Sequence, residues 1–411
     1  MRLITEVVIM SFLKICLVLI ISNTSLQLSA MDPPLNKNFT NILEEQARLI
    51  EPGIRILQDK IPAFEPFLAR KELKKFKKIF TKKLQQDTVV YDFNETEKFK
   101  NIKGFCNGKN MIAINFATML DEGTNYQIYP DQDVLTGELY LARKKNEKHH
   151  NGYKKAFENE IAVLEKLGIF RGVLYFQNRP IIIVDYIPGI SLAKIINQIP
   201  ALLKILITNN FLLKVHEMHN KGIFHRDLNI SNILVNIENG LPVVHIIDFS
   251  EACLIEKSTP SKAGAIYLLP PEIFNEKTPV HDHSISFYMA AKTMAAILTE
   301  NDFNKYYTTL GSLIQCEHNT DPVVCPLCSF QLFKTACSDI FDSANPLKSI
   351  ALYDSLTIII YALSQTERMA RPDNNDIAQV IDMLSVLEKE MLEALTKIMK
   401  NQKISNFRHS K

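Results

Sequence analysis

The chain has 411 residues, of which 47 are Lys or Arg and 45 are Asp or Glu, so its formal net charge is only +2. This balance excludes a polycationic chain that coats nucleic acid, and we expect no nucleic-acid partner. With 46% apolar and 22% charged residues, the composition also excludes intrinsic disorder.

Residues 1–30 have the pattern of a secretory signal peptide. Arg2 and Lys14 precede an apolar run at residues 15–21, and Ser29-Ala30 supplies small residues before a Pro-Pro break. The run is far shorter than the ~20 residues that a membrane-spanning helix needs. We therefore predict a secreted or secretory-pathway protein, with a signal anchor as the alternative.

Residues 31–110 read as a helical, polar and basic segment. Leu73, Phe76, Phe80 and Leu84 are spaced along one helix face, and residues 70–83 hold eight Lys or Arg against one acid, Glu72. Such a basic helix can bind an anionic membrane surface or an acidic partner. The alternative is a solvated face above a packed apolar stripe.

The densest group of polar residues follows a helix-like segment at about residues 201–220. The stretch begins with His225, Arg226 and Asp227 and continues to Asn232, and Asp248 follows a mostly apolar run fourteen residues after Leu234. Phosphoryl transfer from ATP needs a base near the acceptor hydroxyl and oxygen ligands for Mg²⁺. Two carboxylates and an amide on turns after buried segments can meet that need.

This stretch resembles the protein kinase family. His225-Arg226-Asp227-Leu228 with Asn232 completes one family motif, and Asp248-Phe249 matches the first two residues of another. The tyrosine-specific loop pattern is absent, so the resemblance is to the serine/threonine type. It covers about residues 111–390.

The resemblance implies an α+β, bilobal protein-kinase-like fold. Residues 111–184 would form a small β-rich N-lobe, 185–189 a hinge and 190–390 a large helical C-lobe. The helical segment 31–110 would precede the kinase domain, and a C-terminal helix and tail, 391–411, would follow it. A signal peptide, a basic segment and a divergent kinase domain together are similar to effector kinases that intracellular parasites release, including the rhoptry kinase group.

The resemblance also assigns roles to single residues. Asp227 would accept the proton of a protein hydroxyl, Asn232 and Asp248 would bind Mg²⁺, and Arg226 would pair with a phosphate on Ser258, Thr259 or Ser261. Lys144 would hold ATP phosphates and pair with Glu160 of the following helix; Lys145, Glu158 and Glu165 are competing choices. The residues implied for ATP binding are Leu120, Gly123, Ile128, Ala142, Lys144, Val184, Asp185, Tyr186, Ile187 and Leu234. Three more would have structural roles: Glu272 pairs with Arg371, and Asp282 begins a large supporting helix.

Three departures from the family pattern leave the activity open. Only Gly123 remains in the glycine-rich phosphate loop, where Asp121 and Tyr126 stand at the other glycine positions. Asn229 replaces the lysine that faces the γ-phosphate, and Ser250 replaces a glycine. We expect an active kinase that uses ATP and Mg²⁺ on protein substrates. The alternatives are a pseudokinase scaffold that binds a partner through the basic helix, or a small-molecule phosphotransferase of the aminoglycoside-kinase type.

Four cysteines give a separate signal in the C-terminal half. Cys316, Cys325, Cys328 and Cys337 are spaced C-x8-C-x2-C-x8-C. In an oxidising compartment this spacing predicts two disulfides, with three possible pairings. A zinc site is the alternative.

Overall fold

The computed structural model describes residues 33–62, 65–83, 89–92, 101–107, 110–122, 126–146, 153–177, 179–257, 268–270, 272–275, 281–299, 345–365 and 371–409, and single residues between 333 and 342. Contacts divide the chain into two compact units. Pro62–Pro188 form the smaller unit, and Met1–Ile61 with Gly189–Lys411 form the larger one. The predicted signal peptide and the three proposed phosphoacceptors lie outside the described residues.

The smaller unit is built on one antiparallel sheet. Its strands are β1 (Val89–Asp92), β2 (Ile102–Asn107), β3 (Asn110–Asn115), β4 (Asp121–Glu122), β5 (Tyr126–Asp133), β6 (Leu139–Lys145), β7 (Phe170–Phe176) and β8 (Arg179–Asp185). Their order is β1-β2-β3-β5-β6-β8-β7, with β4 paired to β5. Two helices accompany the sheet, α2 (Arg70–Lys83) and α3 (Tyr153–Leu167).

The prediction that residues 31–110 are helical is wrong for residues 89–92 and 102–107. Strands β1 and β2 extend the sheet beyond β3, and each pairs antiparallel with its neighbour. Helix α2 packs on this extension, where Leu73 and Phe76 contact Ile102, Met111 and neighbouring apolar residues. Ile102 of β2 is buried in the cluster with α2, so the helix covers this part of the sheet.

The larger unit is mainly helical. Its helices are α1 (Pro33–Lys60), α4 (Ala201–Asn220), the short α5 (Glu272–Asn275), α6 (His283–Thr299), α7 (Ala351–Leu363) and α8 (Asn374–His409). Its strands are β9 (Ile190–Ser191), β10 (Ile223–Phe224), β11 (Ile233–Glu238), β12 (Leu241–Ile246) and β13 (Cys253–Leu254). The predicted α+β class, with a small β-rich lobe and a large helical lobe, is confirmed. In the described part of the chain, no helix has the length and apolar character needed to span a bilayer.

Helix α1 packs against α4, α8 and β11 of the larger unit. Gly53 makes the close approach possible, because a Cβ there would lie 2.6 Å from Pro200 Cδ and 2.9 Å from Leu203 Cδ1. A Cβ atom at these distances would overlap with both side chains. The backbone of α1 at Gly53 therefore packs directly on the side chains of Pro200 and Leu203. The first helix is therefore an integral part of the larger unit.

Helices α4 and α6 form the centre of the larger unit. Most residues of α4 are buried, and thirteen consecutive residues of α6, from Ile285 to Ile297, are buried. A helix that is buried on all sides belongs to a protein core. This rigid centre supports the loops described next.

Candidate active site

The predicted catalytic loop connects β10 to β11 in the larger unit. Asn232 donates from Nδ2 both to Asp227 Oδ2 (2.8 Å) and to the Asp227 backbone oxygen (2.9 Å). These two bonds hold one carboxylate oxygen of Asp227 and orient the amide nitrogen of Asn232 towards Asp227. The structure thus brings together the predicted base and one predicted metal ligand.

Asn229 shapes the same loop. Its Oδ1 accepts hydrogen bonds from the backbone nitrogens of Ser231 (2.9 Å) and Asn232 (3.2 Å), which caps the short turn Ile230–Asn232. Asparagine is among the best residues for such a cap. The residue that stands in place of the lysine of the resembled motif therefore has a local structural role.

His225 connects the catalytic loop to the loop that carries Asp248. Its Nε2 donates to the Ile247 backbone oxygen (2.9 Å), and its Nδ1 accepts from the Asp227 backbone nitrogen (3.3 Å). Burial lowers the pKa of this histidine, so the neutral ring that both bonds require is favoured. The ring also packs on Phe249, with centroids 5.1 Å apart.

Two residues of these loops have left-handed backbone. Arg226 has φ 64° and Asp248 has φ 61°. Side chains disfavour this region, and such conformations concentrate at functional sites. Arg226 Nε donates to the Glu251 backbone oxygen (2.6 Å), which ties the catalytic loop to the turn after Asp248.

Helix α6 supports the catalytic loop through a residue that sequence reasoning missed. Thr293 Oγ1 donates to the Leu228 backbone oxygen at 2.6 Å from inside the core. Asp282 lies directly before α6, as predicted, and accepts a hydrogen bond from the Ile285 backbone nitrogen (3.0 Å). A buried threonine in an apolar helix carries no motif, so no pattern could have identified Thr293.

The donor chemistry of this unit fits Mg²⁺. The Nδ2 of Asn232 is engaged by Asp227, which leaves its Oδ1 as an oxygen donor, and Asp248 offers a carboxylate. The two loops are joined where Ile247 N donates to the Asn232 backbone oxygen (2.9 Å). No group of three or more His, Cys, Asp or Glu suited to a metal occurs in the described part of the chain. Mg²⁺ commonly uses one or two carboxylates together with substrate phosphates, so this donor set is sufficient.

In the smaller unit, the ion pair with Glu160 is made by Arg143. Arg143 Nη1 lies 2.5 Å from Glu160 Oε1, and both side chains are less than a tenth exposed. The prediction that Lys144 pairs with Glu160 is wrong. The choice of Glu160 over Glu158 and Glu165 agrees with this contact.

Strand pairing explains why Lys144 does not reach Glu160. Arg143 lies opposite Ile128 on β5 and Ile182 on β8, and directly paired residues share one face of a sheet. Val184, which the resemblance implied for ATP binding, pairs with Leu141 and so lies on that same face. The face that holds the predicted Ile128 and Val184 therefore carries Arg143.

Ala142 and Lys144 point to the opposite face. Ala142 is buried in a cluster with Ile181 and Ile183, and Lys144 Nζ lies 5.7 Å from the centre of the Phe116 ring. They therefore lie on the face opposite Ile128 and Val184, two other residues that the resemblance implied for ATP binding. Leu141 and Arg143 lie on the same face as those two.

Tyr126 completes the Arg143 cluster. Its ring lies 4.3 Å from the guanidinium carbon of Arg143, and its hydroxyl donates to Glu160 Oε2. Tyr126 stands at a position where the family has glycine, and it is almost fully buried. The cluster therefore satisfies both oxygens of a buried carboxylate, which would otherwise be costly.

The predicted hinge begins with a braced carboxylate. Arg171 donates to Asp185 from Nε and from Nη2, each at 2.5 Å. Two parallel bonds of this kind fix both partners in orientation. The Tyr186 hydroxyl donates to the Pro62 backbone oxygen at 3.5 Å.

The remaining residues implied for ATP binding are placed as follows. Leu120 is exposed, and its backbone nitrogen donates to the Ile128 oxygen (2.8 Å) beside the β4–β5 pairing. Gly123 lies outside the described residues, and Ile187 is half-buried after the hinge residues. Leu234 is on β11 of the larger unit, opposite Ser191 of β9.

The structure contains the ion pair between Glu272 and Arg371. Arg371 Nη2 lies 3.0 Å from Glu272 Oε2, and Nη1 contacts the other carboxylate oxygen. Arg371 Nε also donates to the Gln365 backbone oxygen (2.7 Å), and the guanidinium carbon lies 4.5 Å from the Tyr288 ring centre. The Arg371 side chain is fully buried, so its charge depends on these partners.

Glu272→Gln should destabilise the larger unit, because it leaves the buried Arg371 charge without its carboxylate. We expect the free energy of unfolding to fall by about 3 kcal/mol. Urea denaturation followed by circular dichroism measures this loss. Glu390→Gln, at an exposed site on α8, is the matched control and should change stability little. Equal stability of the two variants would contradict a bracing role for the pair.

Cys337 does not fit the predicted disulfides. Its thiol is free and buried, and burial raises its pKa. It lies close enough to Lys292 of α6 for their charges to interact, and burial lowers the pKa of Lys292 to about 7. The disulfide prediction is thus wrong for Cys337, whereas Cys316, Cys325 and Cys328 lie outside the described residues.

Comparison with known proteins gives one consistent result. Residues 119–317 match the family model described as protein kinase domain. The chain is 23% identical over 212 residues to Serine/threonine-protein kinase shk1/pak1 of Schizosaccharomyces pombe, covering 47% of this chain and 31% of that protein. It is 22% identical over 300 residues to the Negative regulator of sexual conjugation and meiosis of the same yeast, covering 62% of each. A third relative, Serine/threonine-protein kinase D of Synechocystis, is 35% identical over 107 residues, which is 23% of this chain and 20% of that protein.

These matches are partial in length. The chain spans between 20% and 62% of the curated relatives named above. The matched residues include β4 to α6, and hence both the Arg143 cluster and the catalytic loop.

Proposed function

Because this chain belongs to the protein kinase family, we propose that it transfers the γ-phosphoryl group of ATP to Ser and Thr hydroxyls of protein substrates, with Mg²⁺ as cofactor. One observation carries the proposal. Asn232 holds the Asp227 carboxylate by a 2.8 Å hydrogen bond, and the loop of Asp248 is bound to Asn232 through Ile247. A base and two oxygen donors for Mg²⁺ are thereby held by one short network.

In this proposal Asp227 acts as the base. One of its oxygens accepts from Asn232, so the other accepts the proton as the substrate hydroxyl oxygen bonds to the γ-phosphorus. The bond between that phosphorus and the β–γ bridging oxygen breaks, and ADP leaves. Asn232 and Asp248 would hold Mg²⁺, which neutralises charge on the phosphates when bound.

We propose that Arg143 performs the task first assigned to Lys144. It lies on the sheet face of Ile128 and Val184, and Glu160 and Tyr126 hold its guanidinium in place. A guanidinium has five N–H donors in a planar fork, so it can contact Glu160 and a phosphate group together. Lys144 lies on the other face and is not part of this proposal.

The choice of Ser and Thr as acceptors rests on two observations. The relatives named above include serine/threonine-protein kinases. The sequence after Leu228 also lacks the alanine and arginine pattern of the tyrosine-specific loop. The ion pair of Glu272 with Arg371 supports a protein substrate, because that pair belongs to the platform of protein kinases and not to small-molecule phosphotransferases.

Radiolabelled ATP tests the proposed activity. We expect label from the γ-position to reach the chain itself and a general protein substrate, to be found on phosphoserine and phosphothreonine, and to require Mg²⁺. EDTA provides the control without Mg²⁺. Label on phosphotyrosine alone, or on an aminoglycoside but on no protein, would contradict the proposal.

A pseudokinase scaffold is the second candidate. Tyr126 fills a glycine position with a buried ring that already covers Arg143. If this ring excludes nucleotide, Mg²⁺·ATP will not raise the melting temperature of the protein. A rise in the melting temperature together with label transfer supports the kinase.

We also propose entry into the secretory pathway. The support is the sequence pattern of residues 1–30, which lie outside the described residues.

A further inference from the structure

Helix α2 presents an exposed row of lysines on the smaller unit. Within residues 70–83 there are eight Lys or Arg and one acid, although the whole chain is nearly neutral. We call Lys71, Lys74 and Lys78 the lysine row; all three are exposed. At 100° per residue, their spacing of three, four and seven places them together on the outer face.

The described apolar side chains of α2 pack on the sheet. Phe76 is buried, and it packs with Leu73 on Ile102, Met111 and their apolar neighbours of the sheet. The single acid, Glu72, accepts a hydrogen bond from the Ala69 backbone nitrogen (2.6 Å) at the start of the helix. The lysine row is therefore the surface that α2 offers to other molecules.

The stability of α2 does not explain this row. Like charges three and four residues apart repel each other along a helix. Arg70 and Lys71 also stand in the first turn, where the helix dipole disfavours positive charge. Neutral polar residues would serve packing equally well, so the clustered charge indicates a partner of opposite sign.

The geometry favours an acidic polypeptide over a lipid surface. A helix that lies in a membrane inserts its apolar face among the lipids. In the described part of α2, the apolar side chains Leu73 and Phe76 pack on the sheet, and no large apolar side chain is exposed. The described outer residues therefore present charge, which a run of carboxylates matches.

We propose that the lysine row docks an acidic segment of the protein substrate, which names the substrate class of the kinase activity proposed above. That the bound segment belongs to a substrate rests on the proposed kinase activity, but the docking itself is a binding event. It can therefore be measured without phosphoryl transfer. Exposed ion pairs are individually weak and are screened by salt, so several must act together and the affinity should fall as ionic strength rises.

The test uses two peptides that share one phosphoacceptor serine. One carries a tract of Asp and Glu, and the other carries Asn and Gln at the same positions. We expect fluorescence anisotropy to show tighter binding of the acidic peptide. In the double variant Lys74→Glu/Lys78→Glu, the Kd for the acidic peptide should rise about tenfold. Two side chains that attract the peptide carboxylates are then replaced by two that repel them. The neutral peptide should show no change.

The matched control is Lys389→Glu with Lys397→Glu, two exposed sites on α8 that give the same change in net charge. It should bind the acidic peptide as the wild type does. Lys74→Gln with Lys78→Gln should give a smaller loss than the Glu pair, and it repeats the test if the Glu variant does not fold. An equal Kd for the acidic peptide in the wild type and the folded α2 variant would overturn the proposal.

Two further outcomes are decisive. If the α2 variant loses binding to phosphatidylserine-containing vesicles but keeps the acidic peptide, the surface binds membrane and the docking proposal is wrong. If neither peptide is phosphorylated by any variant but the tenfold loss of binding is observed, docking stands and the proposed kinase activity fails. When the chain is active, the KM for the acidic peptide should rise in the α2 variant while kcat stays unchanged.

Discussion

Replacing Asp227 by Asn should lower the rate of phosphoryl transfer by about a thousandfold or more, because an amide cannot accept the proton of the substrate hydroxyl. The fold should survive. The amide oxygen of Asn can still accept the hydrogen bond from Asn232 Nδ2, which is 2.8 Å long in the wild type. Mg²⁺·ATP should still raise the melting temperature, since Asp248 and Asn232 are unchanged.

Label transfer and thermal shift measure both parts of this expectation. Asp382→Asn, at an exposed site on α8, is the control for loss of one carboxylate, and it should keep full activity. An Asp227→Asn variant that retains activity close to the wild type would remove Asp227 as the base. Loss of both transfer and stability would show that the substitution damages the loop, and then the rate would say nothing of proton transfer.

Replacing Arg143 by Ala should lower kcat/KM for ATP by about a thousandfold, the lower end of what a guanidinium on a phosphoryl group contributes. Lys144→Ala should change it by much less, because Lys144 lies on the opposite face of β6. The comparison is well matched, since the two residues are neighbours in one strand and each variant removes one positive charge.

The Ala variant also leaves Glu160 buried without its partner, so part of the loss could come from unfolding. Arg143→Lys separates the two effects. Lysine keeps the charge near Glu160 but lacks the planar fork, so we expect near-normal stability and an intermediate loss of kcat/KM. A large loss for Lys144→Ala with little effect of Arg143→Lys and Arg143→Ala would contradict the assignment.

Local motifs predicted the catalytic loop well. His225, Asp227 and Asn232 lie within eight consecutive residues, and the structure holds them by bonds inside that stretch and to Ile247. A short loop whose side chains hydrogen-bond within the loop has few alternative conformations. Its geometry can therefore be predicted from its sequence. The resemblance that these motifs carry likewise implied a β-rich part followed by a helical part.

The residue that pairs with Glu160 could not be predicted in the same way. Arg143, Lys144 and Lys145 are consecutive cations on one strand, and alternate side chains of a strand point to opposite faces. A shift of one residue exchanges the faces, and nothing in the composition of three cations reveals which one is buried. Because Arg143 pairs with Ile128 and Ile182, its side chain lies on their face of the sheet. There it forms the ion pair with Glu160 of α3.

The sequence by itself determined the fold class, the chemistry of the catalytic loop and the charge of α2, because these depend on residue type and on short spacings. The tertiary structure alone decided that strands β1 and β2 extend the sheet, that Thr293 supports Leu228 and that Arg143 replaces Lys144 beside Glu160. Each of these depends on which distant segment packs on which face. Such contacts are chosen by the burial of the whole core and not by any one stretch of chain.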